Sequence, residues 1–165
     1  MSTRCCIAKP WGESWRGRYV HSDGYPTGVG VAIKRAVDRL GSTKAAIKLL
    51  IDSPWAKAGW SAIDAPTIDF ALPPSWPYTG AELQGPVSYA VRGEAPSPAL
   101  TPATTPDVIG YVFVIHPSSV HVLHFDQRDK DFVHVGAVPL FLTDAAYFDN
   151  MALIEKFFEQ LEEAR

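Results

Sequence analysis

The residues with the most chemistry to offer lie between Arg16 and Gly30, a stretch holding two arginines, two tyrosines, one histidine, one aspartate, one proline and four glycines. His21 and Asp23 form a potential acid–base couple, because an imidazole titrates near neutrality and a neighbouring carboxylate either orients it or serves as a second proton carrier. Arg16 and Arg18 bring positive charge. Thr27-Gly28-Val29-Gly30 opens a predicted helix, where free backbone N–H groups and the positive end of the helix dipole favour an anion such as a phosphate or carboxylate. The candidate ligand-binding set is therefore Arg16, Arg18, His21, Asp23, Tyr25, Thr27, Gly28 and Gly30, with His21 and Asp23 as the alternative catalytic pair. Each residue also has a local structural use: Asp23-Gly24 for a turn, Pro26 to stiffen it, Thr27 to cap the helix, Gly28 and Gly30 for close packing.

Other reaction classes lack their signatures. No Gly-x-Ser-x-Gly elbow is present, and Gly28-Val29-Gly30 has neither the Gly-Lys-Ser/Thr ending of a phosphate loop nor the third glycine of a dinucleotide fingerprint. Four of the five histidines, His116, His121, His124 and His134, fall in the C-terminal strands. His121 and His124 are an odd number of residues apart and so face opposite sides of one strand, which argues against a shared metal. No metal site and no cofactor are expected. Cys5 and Cys6 are adjacent and point to opposite faces of a strand, so a mutual disulfide is not expected either.

These residues must be held by the elements around them. Arg4 to Lys9 and Trp15 to Ser22 read as a β-hairpin turned by Pro10 to Ser14, with Tyr19 and His21 on one face of the second strand. A helix over Gly28 to Leu40 buries Val29, Ile33, Ala36, Val37 and Leu40 and stops at Gly41. Ser42 caps a second helix to about Ile51, and Trp55 to Ile63 forms an aromatic connector packed on these helices. Val108 to His116, Val120 to Phe125 and Phe132 to Val138 form an antiparallel meander. Thr143 caps a last helix, to about Ala164, with Tyr147, Met151, Ile154, Phe158 and Leu161 on its apolar stripe.

Between the halves, residues 64–107 hold nine of the 14 prolines and read as an excursion, with a short strand within Pro86 to Arg92. Ala95 to Pro106 reads as a flexible, polyproline-prone linker with little to bury. The 165 residues are expected to form one domain. Its class is α+β: a two-layer, largely antiparallel sheet with helices on one face, in the order ββαα-loop-βββα. A net charge of -3 offers no broad basic face for duplex DNA or an anionic membrane. With no apolar run of membrane-spanning length and no signal-peptide pattern, the expected location is the cytoplasm.

His21-Ser22-Asp23-Gly24-Tyr25-Pro26 followed by Gly28-Val29-Gly30 resembles the signature of a family of small bacteriophage and actinobacterial proteins that carry His-Trp-Asp-Gly-Tyr-Pro after their second strand. The likeness runs from Arg4-Cys5-Cys6-Ile7 to Gly59-Trp60-Ser61-Ala62-Ile63, about the first third of the chain, with Ser22 standing where the family has tryptophan. The resemblance implies a phage or prophage accessory protein and carries over no activity. The expectation is a protein that acts by binding, through the junction of residues 16–30, either a small anionic ligand such as a nucleotide or a host protein. The alternative is a small hydrolase or nucleotide-modifying enzyme using His21 and Asp23.

Overall fold

The computed structural model describes residues 3–76, 84–106 and 108–164, so residues 77–83 and 107 of the proline-rich stretch lie outside the described residues. Seven strands form one sheet: β1 (Arg4–Trp11), β2 (Ser14–Val20), β3 (Trp60–Ala62), β4 (Val87–Ser88), β5 (Ile109–Ile115), β6 (Ser119–Asp126) and β7 (Asp131–Pro139). Their spatial order is β4-β3-β2-β1-β5-β6-β7. The predicted hairpin and meander are both present, and the sheet is mostly antiparallel. Two neighbour pairs are parallel, however: β1 with β5 and β2 with β3. The second of these arises because the aromatic connector supplies a strand of its own. Trp60 is fully buried, and its indole Nε1 donates to the Leu50 carbonyl at 2.9 Å.

Helices α1 (Val31–Leu40), α2 (Thr43–Ile47) and α3 (Asp144–Glu163) complete the α+β architecture. Gly41, at φ 92°, stops α1 in the left-handed conformation that glycine adopts without steric cost. Ser42 and Thr143 cap α2 and α3 as their positions predict, accepting from the N–H groups of Ala45 and Ala146. Helices α1 and α2 each adjoin a wide turn: Pro26–Gly30 leads into α1, and Lys48–Asp52 extends α2. Thr27 does not cap α1. The chain enters that turn through Tyr25, and the Thr27 hydroxyl is turned toward α3.

The main core lies between the helices and one sheet face. It joins Cys5, Ile7, Val20, Phe113, Ile115 and Val122 of the strands to Val29, Ile33, Leu50, Tyr147, Met151 and Phe158 of the helical layer. Each fully buried side chain of this size contributes roughly 2 kcal/mol by removing apolar surface from water. Cys6, Ala8, Trp15, Val112 and Val114 form a smaller cluster on the other face. The stretch read as a linker with little to bury crosses this face. Gly17 and Leu100 exchange both backbone hydrogen bonds at 2.9 Å, and Leu100 packs against the smaller cluster. Both thiols are free, buried and on opposite faces, as the period of two requires.

Candidate functional site: a carboxyl pair at the ends of two parallel strands

The loop that follows β2 and the loop that follows β3 leave the same edge of the sheet, because those strands run parallel. The first carries Asp23 and the second Asp64. Backbone bonds from His21 N to Trp60 O (2.9 Å) and from Ser22 N to Ser61 O (3.2 Å) continue the pairing up to the loops. Asp23 is one of two non-glycine residues with positive φ among the described residues, at φ 55°. Its carbonyl accepts from Val29 N at 2.9 Å, and Gly24 N donates to Thr3 O at 2.7 Å, which ties the turn to the helix and to β1. Two glycines are required by contact rather than by dihedral angle. A Cβ on Gly24 would lie 2.7 Å from Cys5 Cβ, and one on Gly28 would lie 2.2 Å from Asp23 O.

So held, Asp23 and Asp64 form a hydrogen-bonded carboxyl pair, and the Asp64 carboxyl is pushed up to about 7, first by burial, then by the bond to Asp23 and its charge. The Asp64 carboxyl therefore keeps its proton into the neutral range. The Tyr25 hydroxyl is also bonded to Asp23, and its pKa is raised by burial and then by the charges of Asp23 and Asp64. Arg35 of α1 holds the second loop by its backbone, donating from Nη2 to Asp64 O at 2.6 Å and from Nη1 to Ala65 O at 3.0 Å. The guanidinium therefore positions Asp64 while only partly offsetting the effect of burial on its carboxyl.

The eight residues singled out in the sequence divide in two. Asp23, Tyr25, Thr27 and Gly28 are brought together, and Gly30 lets α1 approach the core, since a Cβ there would lie 3.1 Å from Met151 Sδ. His21 sits beside them on the chain, with its Nδ1 bonded to Tyr19 Oη at 2.7 Å. The arginines are elsewhere. Arg18 is 7% exposed and donates to Ile51 O (3.0 Å) and Ser97 O (3.1 Å), so it closes the C-terminal end of the α2 extension and holds the crossing segment. Arg16 stacks on Trp11, with Cζ 4.8 Å from the ring centroid. It lies at the start of β2, about 20 Å from the loop at some 3.3 Å per residue.

The helix mouth already has its anion. Glu155 of α3 accepts through Oε2 from Thr27 N at 3.1 Å and from Thr27 Oγ1 at 2.6 Å. A carboxylate at the first free N–H groups of a helix is the pairing the dipole favours, and here the chain supplies it. Asp64 was missed in the sequence because it opens the proline-rich stretch and carries no motif. The parallel pairing of β2 and β3 is what brings it to Asp23.

A second gathering lies on the opposite face. His121 Nδ1 is 3.0 Å from His134 Nε2, and the His116 and His121 rings lie 3.9 Å apart, centroid to centroid. They border a cavity of about 250 Å³ with Glu13 and Trp15. Burial, then neighbouring imidazoles, lowers the pKa of His116 and of His121. Among the described residues, no group of three or more His, Cys, Asp or Glu side chains is arranged to hold a metal ion. No helix among them is long and apolar enough to cross a membrane. Compared with known proteins, the chain matches no family model, no curated protein and no solved structure.

Proposed function

We propose that the protein acts by binding a small polar ligand at the Asp23–Asp64 pair. The observation that carries this reading is two half-buried carboxyls bonded to each other at the ends of adjacent parallel strands. Ligand sites in sheets with parallel strands gather at such carboxyl ends, and strongly shifted titratable pairs gather at functional sites. Near neutral pH the pair offers both a donor and an acceptor, which matches a ligand edge carrying both, as a nucleobase does. Glu155, Asp23 and Asp64 together repel negative charge, so the phosphate of a nucleotide would point away from them, and the expected ligand changes from anionic to uncharged or cationic. The phage accessory role rests on the family resemblance.

Thermal-shift measurements with a panel of nucleosides and nucleotides at pH 6 and pH 8 test this. Stabilisation by uncharged nucleosides that is weaker at pH 8 and absent in Asp64→Asn is expected. A flat panel at both pH values, or a response to triphosphates that survives Asp64→Asn, would overturn it.

A second reading, an acid–base enzyme, is favoured by the bond from Tyr25 to Asp23, which extends the pair into a chain of three proton carriers. The catalytic pair would then be Asp64 with Asp23. A glycosidase is disfavoured, since its two carboxyls stand about 5 Å or more apart rather than bonded to each other. Hydrolysis of an amide or ester panel with a pH optimum near the Asp64 value, abolished in Asp64→Asn, would establish catalysis.

A further inference from the structure

The last strand is an open edge. β7 spans nine residues at one end of the sheet, and among the described residues no strand pairs with its outer side. Unpaired N–H and C=O groups along such an edge are a template for another strand. Helix α3 touches β7 closely at Gly136, where a Cβ would lie 2.9 Å from Ile154 Cδ1. Farther along, a cavity of about 210 Å³ opens between the two elements, lined by Val133, Val135, Phe157, Leu161 and Glu162 among others. Leu153, Phe157 and Leu161 recur every four residues on α3 and are 66%, 54% and 37% exposed, and Val133 on the strand is 43% exposed. Leu161 belongs to the predicted core stripe, yet the fold leaves it at the surface.

The charge around this groove is mainly acidic, with the His124 imidazole on its wall 3.7 Å from Glu162 Oε1. Helix α3 carries six acidic residues and a single basic one, Lys156. Glu162 borders the groove, Glu159 lies one turn before Glu163 on the same helix, and Asp126 closes the groove at the end of β6. A second copy brought edge to edge by a two-fold axis would set these acidic rims against each other. A basic partner would be attracted instead.

We propose that β7 and the C-terminal half of α3 dock an extended segment of a partner protein in which the residues at every second position, those facing α3, are apolar and then lysine or arginine. The segment adds beside β7 as the sheet's next strand, and because every second side chain points to the α3 side, it places apolar ones there against Phe157 and Leu161 and basic ones there toward Glu159 and Glu162. Main-chain bonds supply affinity in this mode, and the alternate side chains supply selectivity.

Fluorescence anisotropy with a labelled lysine–valine peptide that carries two valines and then two lysines at every second position, with serines between, tests the proposal. It is run alongside a lysine–serine peptide of equal charge in which serine replaces the valines and a glutamate–valine peptide in which glutamate replaces the lysines. Saturable binding of the lysine–valine peptide alone is expected, with slowed amide exchange along Asp131–Pro139. Phe157→Ser and Glu162→Lys should each weaken it about tenfold, the scale of losing one anchor in an interface. Both side chains are exposed, so melting temperatures near that of the wild type are expected for these variants. Equal binding of the lysine–serine peptide, unchanged affinity in Phe157→Ser, or unchanged exchange along β7 would overturn the proposal. So would a wild-type dimer in sedimentation that Phe157→Ser dissociates, because a second copy would then occupy the groove.

Discussion

Like groups share protons at two places in this molecule, and the two places respond to pH in opposite directions. At the ends of β2 and β3, burial raises the Asp64 carboxyl, so its proton is retained into the neutral range. On the open face, burial lowers His116 and His121, so their protons are lost before the ordinary imidazole range. Both shifts have one cause: a poorly hydrated site disfavours the charged form, whichever its sign. In stability terms, the carboxyl contributes most when acidic and loses that contribution as pH rises through about 7. The imidazoles contribute above their ordinary value of 6.5 and lose that contribution as pH falls through their lowered values. In mildly acidic solution the two slopes therefore oppose, and the wild type should show a flatter profile than either site alone.

The largest effect comes from breaking one site while sparing the other. Gly28→Ala puts a methyl group 2.2 Å from the Asp23 carbonyl, which cannot yield without moving the turn. A loss of about 3 kcal/mol is expected from such overpacking, read by urea denaturation. The His116 and His121 signals in a proton NMR titration should keep their wild-type midpoints, since that cluster is on the far face.

Glu155→Ala comes next. It removes the acceptor of Thr27 N and Oγ1, and losing bonds to a charged, half-buried group should cost about 2 kcal/mol. Added sulfate should restore part of the melting temperature in this variant and none in the wild type, because only the variant has an empty helix mouth. Equal effects of sulfate on both would mean that the mouth is not an anion site.

Asp64→Asn acts on the pH profile. The native carboxyl is raised from an ordinary value of 3.8 to about 7, so wild-type stability should fall between pH 4 and pH 8 by a contribution that the variant lacks. A shift of this size would correspond to several kcal/mol if fully buried, but the group is half exposed, and solvent screening reduces the expected difference to about 1 kcal/mol. Melting curves of both proteins at pH 5 and pH 8 give the comparison. A variant whose deficit relative to wild type is as large at pH 8 as at pH 5 would remove the shared proton from the account.

Much of this contrast was readable in the chain, and what was not depended on pairings between distant segments. Asp23, its turn and the glycines announce themselves by local spacing, as do the hairpin, the meander and the caps of α2 and α3. Asp64 does not, because its role depends on a parallel pairing forty residues from β2 in sequence. The histidines teach the same lesson through register. Odd spacing correctly separates His124, which stacks on Phe158 on the helical face, from His121. It says nothing of His134, which reaches the open face because the register shifts between Val122 and Leu123: Gly136 opposes the first and His134 the second, leaving Val135 extra. Without that bulge His134 would oppose His124 and point toward α3.

The smallest effect tests that arrangement. His121 lies between its two neighbours, bonded to His134 and stacked on His116, with Glu13 the carboxylate bordering the same cavity. Replacing it in His121→Gln removes the member whose lowering includes both other imidazoles among its causes, after burial. The His116 midpoint should nevertheless stay below that of an ordinary histidine, because burial is its first cause and His134 remains. On the acid side, stability should fall less steeply in the variant from pH 7 to pH 5, which exposes the opposing slope of Asp64. If the variant instead steepened the acid limb, the imidazoles would be stabilised by protonation, and the opposition between the two sites would disappear.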